Sequence, residues 1–83
     1  MRRRTLLQVL QGSADSNIHF DELRSLLAAM GFHERIKGSH HIFTRPDVEE
    51  ILNLQPRGSS AKPYQVRQVR SVIVRHKLAE GLE

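Results

Sequence analysis

The segment from Phe32 to Gln55, FHERIKGSHHIFTRPDVEEILNLQ, decides the fold. Its apolar residues come in short runs of β character rather than at helical spacing, and turn-forming residues break it at Gly38-Ser39 and again at Arg45-Pro46-Asp47. Three strands fit between those breaks, over residues 33–37, 41–45 and 50–55. The connections are too short for anything but an antiparallel meander. Ile42 and Phe43 are neighbours, so one must point to a core and the other to the opposite face. Leu52 and Leu54 alternate with Asn53 and Gln55, the pattern of a sheet with one face packed and one face wet.

Working outward, the preceding stretch is the clearest helix of the chain. Phe20, Leu23, Leu26, Leu27 and Met30 share one helical face, Asp21, Glu22 and Arg24 fall off it, and Gly31 supplies the stop. Before it, Leu6, Leu7, Val9 and Leu10 within residues 5–11 suit a short additional helix, and Ser13-Ala14-Asp15-Ser16-Asn17 forms a turn. Residues 1–16 therefore read as an N-terminal extension and 17–80 as the main domain. After the strands, residues 56–60 read as a loop, and Lys62-Pro63 opens a final helix with proline in its first turn. Val66, Val69 and Ile73 form the apolar stripe of that helix, broadened by Val72 and Val74. Its richness in β-branched residues keeps a strand in competition and requires packing to hold the helical form. The aromatics Phe20, Phe32, Phe43 and Tyr64 read as core. The expected fold class is α+β, with a three-stranded antiparallel sheet and helices on one face.

Composition narrows the function. Eighty-three residues allow one compact domain, which buries only about 60 to 65% of the surface its unfolded form exposes and leaves little room for a spacious pocket. The absence of cysteine removes disulfides, thiolate metal sites and a cysteine nucleophile together. The opening Arg2-Arg3-Arg4 lacks the long apolar stretch of a secretory signal, and no run is long enough to cross a membrane, so a cytoplasmic location is expected. A formal charge of +4 favours a polyanionic partner. Lys37, Arg57, Lys62, Arg67 and Arg70 are the basic residues that bear on this. Lys62, Arg67, Arg70, Arg75 and Lys77 also fit a merely solvated helix face, whereas Lys37 and Arg57 flank the hairpin and the loop and suit phosphate contact better.

The cluster richest in chemistry is Lys37-Gly38-Ser39-His40-His41, at the hairpin between the first two strands. Gly38 lets the backbone turn sharply and approach a ligand, Lys37 can meet a phosphate, and an imidazole there can exchange protons near neutral pH. Metal-free RNA cleavage needs those parts. A base takes the proton of the ribose 2'-hydroxyl, a cation steadies the charge-rich transition state, and an acid protonates the departing 5'-oxygen.

Leu26-Leu27, Gly31-Phe32, Lys37-Gly38-Ser39-His40-His41-Ile42-Phe43, and then a Pro56-containing loop and a basic helix, together resemble the HicA family of messenger-RNA interferase toxins over roughly residues 17–78. The resemblance implies a double-stranded-RNA-binding-like fold and a type II toxin that cleaves mRNA. It makes His40 the catalytic histidine. The residues themselves suggest His41 or Ser39 as the acid or as positioning groups, and Lys37, Gly38, Arg57, Lys62 and Arg67 on the RNA. The resemblance further implies a HicB-like antitoxin as partner, a toxin that is monomeric when free, and no cofactor. Many members carry a histidine after the proline that follows the third strand; this chain has Arg57, so the resemblance leaves His40 to act largely alone.

Three other readings compete. A metal site from His33, His40 and His41, with Glu34, conflicts with the rule that adjacent strand residues point to opposite faces. Ser39 beside His40 in an extended chain does not give the geometry of a nucleophile and its base. A non-catalytic RNA-binding or protein-interaction module on the same fold stays open, because charge and open sheet suit it equally well.

Overall fold

The computed structural model describes residues 3–80; Arg2 of the arginine run and Leu82-Glu83 lie outside the described residues. The elements run α1 (Arg3–Gln11), a short 3-10 turn (Asp15–Asn17), α2 (Phe20–Ala29), β1 (His33–Lys37), β2 (His40–Arg45), β3 (Val48–Leu54) and α3 (Pro63–Arg75). This is the α+β architecture the sequence predicts, with the additional N-terminal helix present. Two strand boundaries move. β2 starts at His40 rather than at residue 41, and β3 runs from Val48 to Leu54 rather than over 50–55. The acidic residues after Pro46 obscured the start of β3. Val48 is nearly fully buried and anchors that end of the strand, which no local propensity reveals.

The sheet has the order β1-β2-β3, both pairings antiparallel. Lys37 pairs with His40 across Gly38-Ser39, and Gly38 sits at φ 61 while Ser39 is not among the positive-φ residues. A positive φ at the first central position alone is the requirement of a type II' hairpin turn, and glycine meets it without strain. The register of β2 against β3 shifts between Phe43 and Arg45.

Alternation then sorts the side chains. Phe43, Leu52 and Leu54 are buried against the helices, whereas Ile42, Asn53 and Ile51 share the opposite, uncovered face. One continuous core joins this sheet face to Leu6 and Val9 of α1, to Leu23, Leu26 and Leu27 of α2, and to Val66, Val69 and Ile73 of α3. α1 therefore contributes to the same core as the rest of the chain. Arg70 bolts it in place, donating to the Val9 carbonyl at 3.0 Å and pairing with Asp15 at 3.0 and 3.2 Å.

α2 ends as expected at Gly31, which takes φ 89. The Phe32 N–H donates to the Leu27 carbonyl and the Gly31 N–H to that of Ala28, so the orphan carbonyls of the last turn are satisfied in a Schellman arrangement. Two residues depart from the expected core. Val74 is 63% exposed, on the outer side of α3, and Tyr64 is 50% exposed beside the start of that helix. In each case helical phase outweighs hydrophobicity: both lie off the face defined by Val66, Val69 and Ile73.

Candidate functional site

The hairpin brings Lys37, Gly38, Ser39 and His40 to one end of the sheet, where Asn53 and Gln55 meet them from the third strand and the residue after it. His40 is exposed on the uncovered face. Its Nδ1 lies 3.0 Å from Oδ1 of Asn53, a diagonal cross-strand neighbour. An amide oxygen only accepts, so Nδ1 carries the proton and donates; in the neutral imidazole Nε2 is then the free base. Lys37, paired with His40 across the turn, projects from the same face. Ser39 Oγ accepts from Gln55 Nε2 at 2.8 Å, which ties the tip of the hairpin to the end of β3.

His41 points the other way, as strand alternation demands. Its side chain is largely covered, its ring makes an edge contact with Phe20 at a centroid distance of 4.8 Å, and its Nδ1 lies 2.7 Å from Oε2 of Glu34. The same carboxylate is gripped by Arg24 through Nε at 2.7 Å and the second terminal nitrogen at 3.1 Å. Hydrogen bonding from Arg24, with a further contribution from His41, holds the Glu34 carboxyl below the usual carboxylate range in spite of partial burial. A carboxylate kept ionised in this way orients the His41 imidazole. The two histidines thus differ in partner, face and exposure, and they cannot converge on one ion or one phosphate.

Two groups of basic residues bear on the site. Arg24, Arg45, Arg70 and Arg75 are engaged with Glu34, Asp47, Asp15 and Glu50 respectively. Lys37, Arg57, Lys62 and Arg67 make no side-chain ion pair among the described residues. Arg57 closes a tight turn with Ser60, through reciprocal backbone hydrogen bonds of 2.9 and 3.0 Å, and its side chain is exposed. That turn is pinned to the start of α2 by the Phe20 N–H donating to the Ser59 carbonyl and the Ala61 N–H to that of Ile18. Lys62 and Arg67 belong to the entry and first turns of α3. Of the basic residues singled out from sequence, Arg70 alone is absorbed into the fold rather than left for a ligand.

Sequence reasoning passed over Asn53, Gln55 and Arg24, and considered Glu34 only as a metal ligand. The polar alternation at Asn53 and Gln55 placed them on a wet face, but their pairing with His40 and Ser39 depends on strand register, which the pattern leaves open. No helix among the described residues is long and apolar enough to cross a membrane. In comparison with known proteins, a family model described as HicA toxin of bacterial toxin-antitoxin fits residues 20–77. No curated protein matches the chain, and no solved structure matches it.

Proposed function

We propose, because this chain belongs to the HicA toxin family of bacterial toxin-antitoxin systems, that it is an endoribonuclease which arrests growth by cleaving mRNA without a metal. The observation that carries this reading is the placement of His40: exposed, with Nδ1 hydrogen-bonded to Asn53 and Nε2 without a side-chain partner among the described residues, across a two-residue turn from Lys37, which makes no ion pair among those residues. His40 Nε2 takes the 2'-hydroxyl proton of the ribose. The freed oxygen attacks the adjacent phosphorus, Lys37 offsets the charge gathering on the phosphorane oxygens, and the bond to the 5'-oxygen breaks as that oxygen takes a proton from water, leaving a 2',3'-cyclic phosphate. Gly38, whose Cα faces open space, lets the phosphate approach the backbone of the turn, and Ser39 positions it. Arg57, Lys62 and Arg67 hold flanking phosphates. Residues 17–80 carry this activity, with 1–16 as an extension that braces them.

As a toxin of this family the chain has an antitoxin partner; we infer a HicB-like protein that covers the hairpin, a free toxin that is monomeric, and action in the cytoplasm. The test is a gel of RNA incubated with the pure protein in excess chelator. Cleavage that disappears in His40→Ala supports the reading, whereas RNA that is bound in a salt-dependent manner and left intact replaces it with a non-catalytic RNA-binding module. A second reading is favoured by the His41–Glu34 contact of 2.7 Å. There the carboxylate-supported imidazole on the helix side, edge-on to Phe20, is the main catalyst in place of His40. Loss of activity in His41→Ala with retention in His40→Ala selects it.

A further inference from the structure

Tyr64 is the aromatic residue that the core does not use. Half of its surface is open, and it stands in the first turn of α3, immediately after Lys62 and Pro63. A chain of polar contacts leads from it to the hairpin. Gln65 Nε2 donates to the Tyr64 hydroxyl at 3.4 Å, Gln65 Oε1 accepts from the Gln55 backbone N–H at 3.2 Å, and Gln55 Nε2 donates to Ser39 Oγ at 2.8 Å. Gln65 is 3% exposed, so this chain is built into the fold and sets the start of α3, which carries Tyr64, at the same end of the molecule as Ser39. Arg67 lies one helical turn on from Tyr64, Lys62 is the residue that caps the helix two positions before it, and neither makes an ion pair among the described residues.

A half-exposed aromatic residue with unpaired cations near it in the chain, joined through Gln65 and Gln55 to the candidate cleavage site, has the features that single-stranded nucleic acids exploit. The ring stacks on a base, and the cations meet the phosphates on either side of it. Duplex RNA keeps its bases stacked inside, so such a ring serves an unpaired strand. We propose that Tyr64 is the base-stacking platform of this protein, gripping one unpaired nucleotide of single-stranded RNA next to the phosphate presented to His40. This rests on the endoribonuclease reading for its purpose, but the binding it asserts is measurable without cleavage.

The chain has one tyrosine and no tryptophan, so its intrinsic fluorescence is that of Tyr64 alone. A single-stranded oligonucleotide carrying 2'-O-methyl groups throughout lacks the attacking hydroxyl and stays intact. Titrating it into the wild-type protein is expected to quench the tyrosine emission saturably. By polarisation of a labelled version, Tyr64→Ala is expected to weaken its binding by about 5- to 150-fold, and Tyr64→Phe to leave it close to wild type. On cleavable RNA, Tyr64→Ala should raise KM far more than it lowers kcat. Unchanged affinity in Tyr64→Ala, or binding seen by polarisation with no quenching, overturns the proposal. So does a preference for duplex over single strand. Quenching by the methylated oligonucleotide together with intact all-ribose RNA would retain the stacking site and remove the nuclease reading; cleavage with unchanged Tyr64→Ala binding would do the reverse.

Discussion

His40 and His41 are consecutive residues of one strand, yet they live in different chemistries. His40 stands on the uncovered sheet face with a neutral amide as its side-chain partner and, among the described residues, none at its second nitrogen. His41 faces the helices, edge-on to Phe20, with a carboxylate that an arginine keeps ionised. A strand places neighbours on opposite sides, so the same residue type meets solvent on one side and a structured ion network on the other. The contrast teaches that motif position alone does not define a catalytic imidazole; the face of the sheet does.

The largest expected effect sharpens that contrast directly. His40→Ala should reduce the rate of RNA cleavage by about 10² to 10⁴ while leaving thermal unfolding nearly unchanged, as an exposed base lost from a folded protein would. Measured beside it, His41→Ala should fall less in rate and more in stability. A reversal of those two results moves the chemistry to the helix side.

Next in size is the same comparison one step along β2. Phe43→Ala should cost about 3 to 5 kcal/mol in denaturant unfolding, because a fully buried ring leaves a cavity. Ile42→Ala, on the uncovered face, should cost about 1 kcal/mol. Equal losses would mean that the uncovered face is buried in solution by another molecule.

A smaller effect concerns the orientation of His40. Asn53→Ala removes the acceptor that selects its tautomer, a hydrogen bond worth about 1 kcal/mol, and cleavage should slow about five-fold with stability little altered. The smallest effect is acid lability on the helix side. Glu34 is held below its ordinary value near 4.5 by Arg24 first and His41 second. Below that value the unfolded carboxylate takes up protons before the folded one does, so the stabilisation is complete above about pH 4.5 and is lost as the pH falls through the lower folded value. The pairing is partly solvent-exposed, so the loss should be about 1 kcal/mol or less, and Glu34→Gln should flatten this part of the stability profile.

Much of this architecture was legible in the residues. The helical spacing of Phe20 to Met30, the Gly31 stop and the interruptions at Gly38-Ser39 and Pro46-Asp47 give the element order, because local periodicity and turn chemistry are written over a few residues. The start of β3 at Val48 was not, since only packing distinguishes that valine from the acidic turn around it. Tyr64 was assigned to the core on its type; the phase of α3 turned it outward. Lys37, Ser39 and His40 were visible as a cluster because the turn joins them in sequence.

What the sequence determined by itself was the α+β class, the hairpin and the residues at its tip. Contacts across the sheet were decided only by the tertiary structure. Strand register set Asn53 beside His40 and Gln55 beside Ser39, and the packing of α2 on the sheet delivered Arg24 and Phe20 to Glu34 and His41. The physical reason is range: turns and amphipathic faces are properties of neighbours in the chain, whereas each of those partners is set by burial of the whole core, which selects one register and one helix placement together.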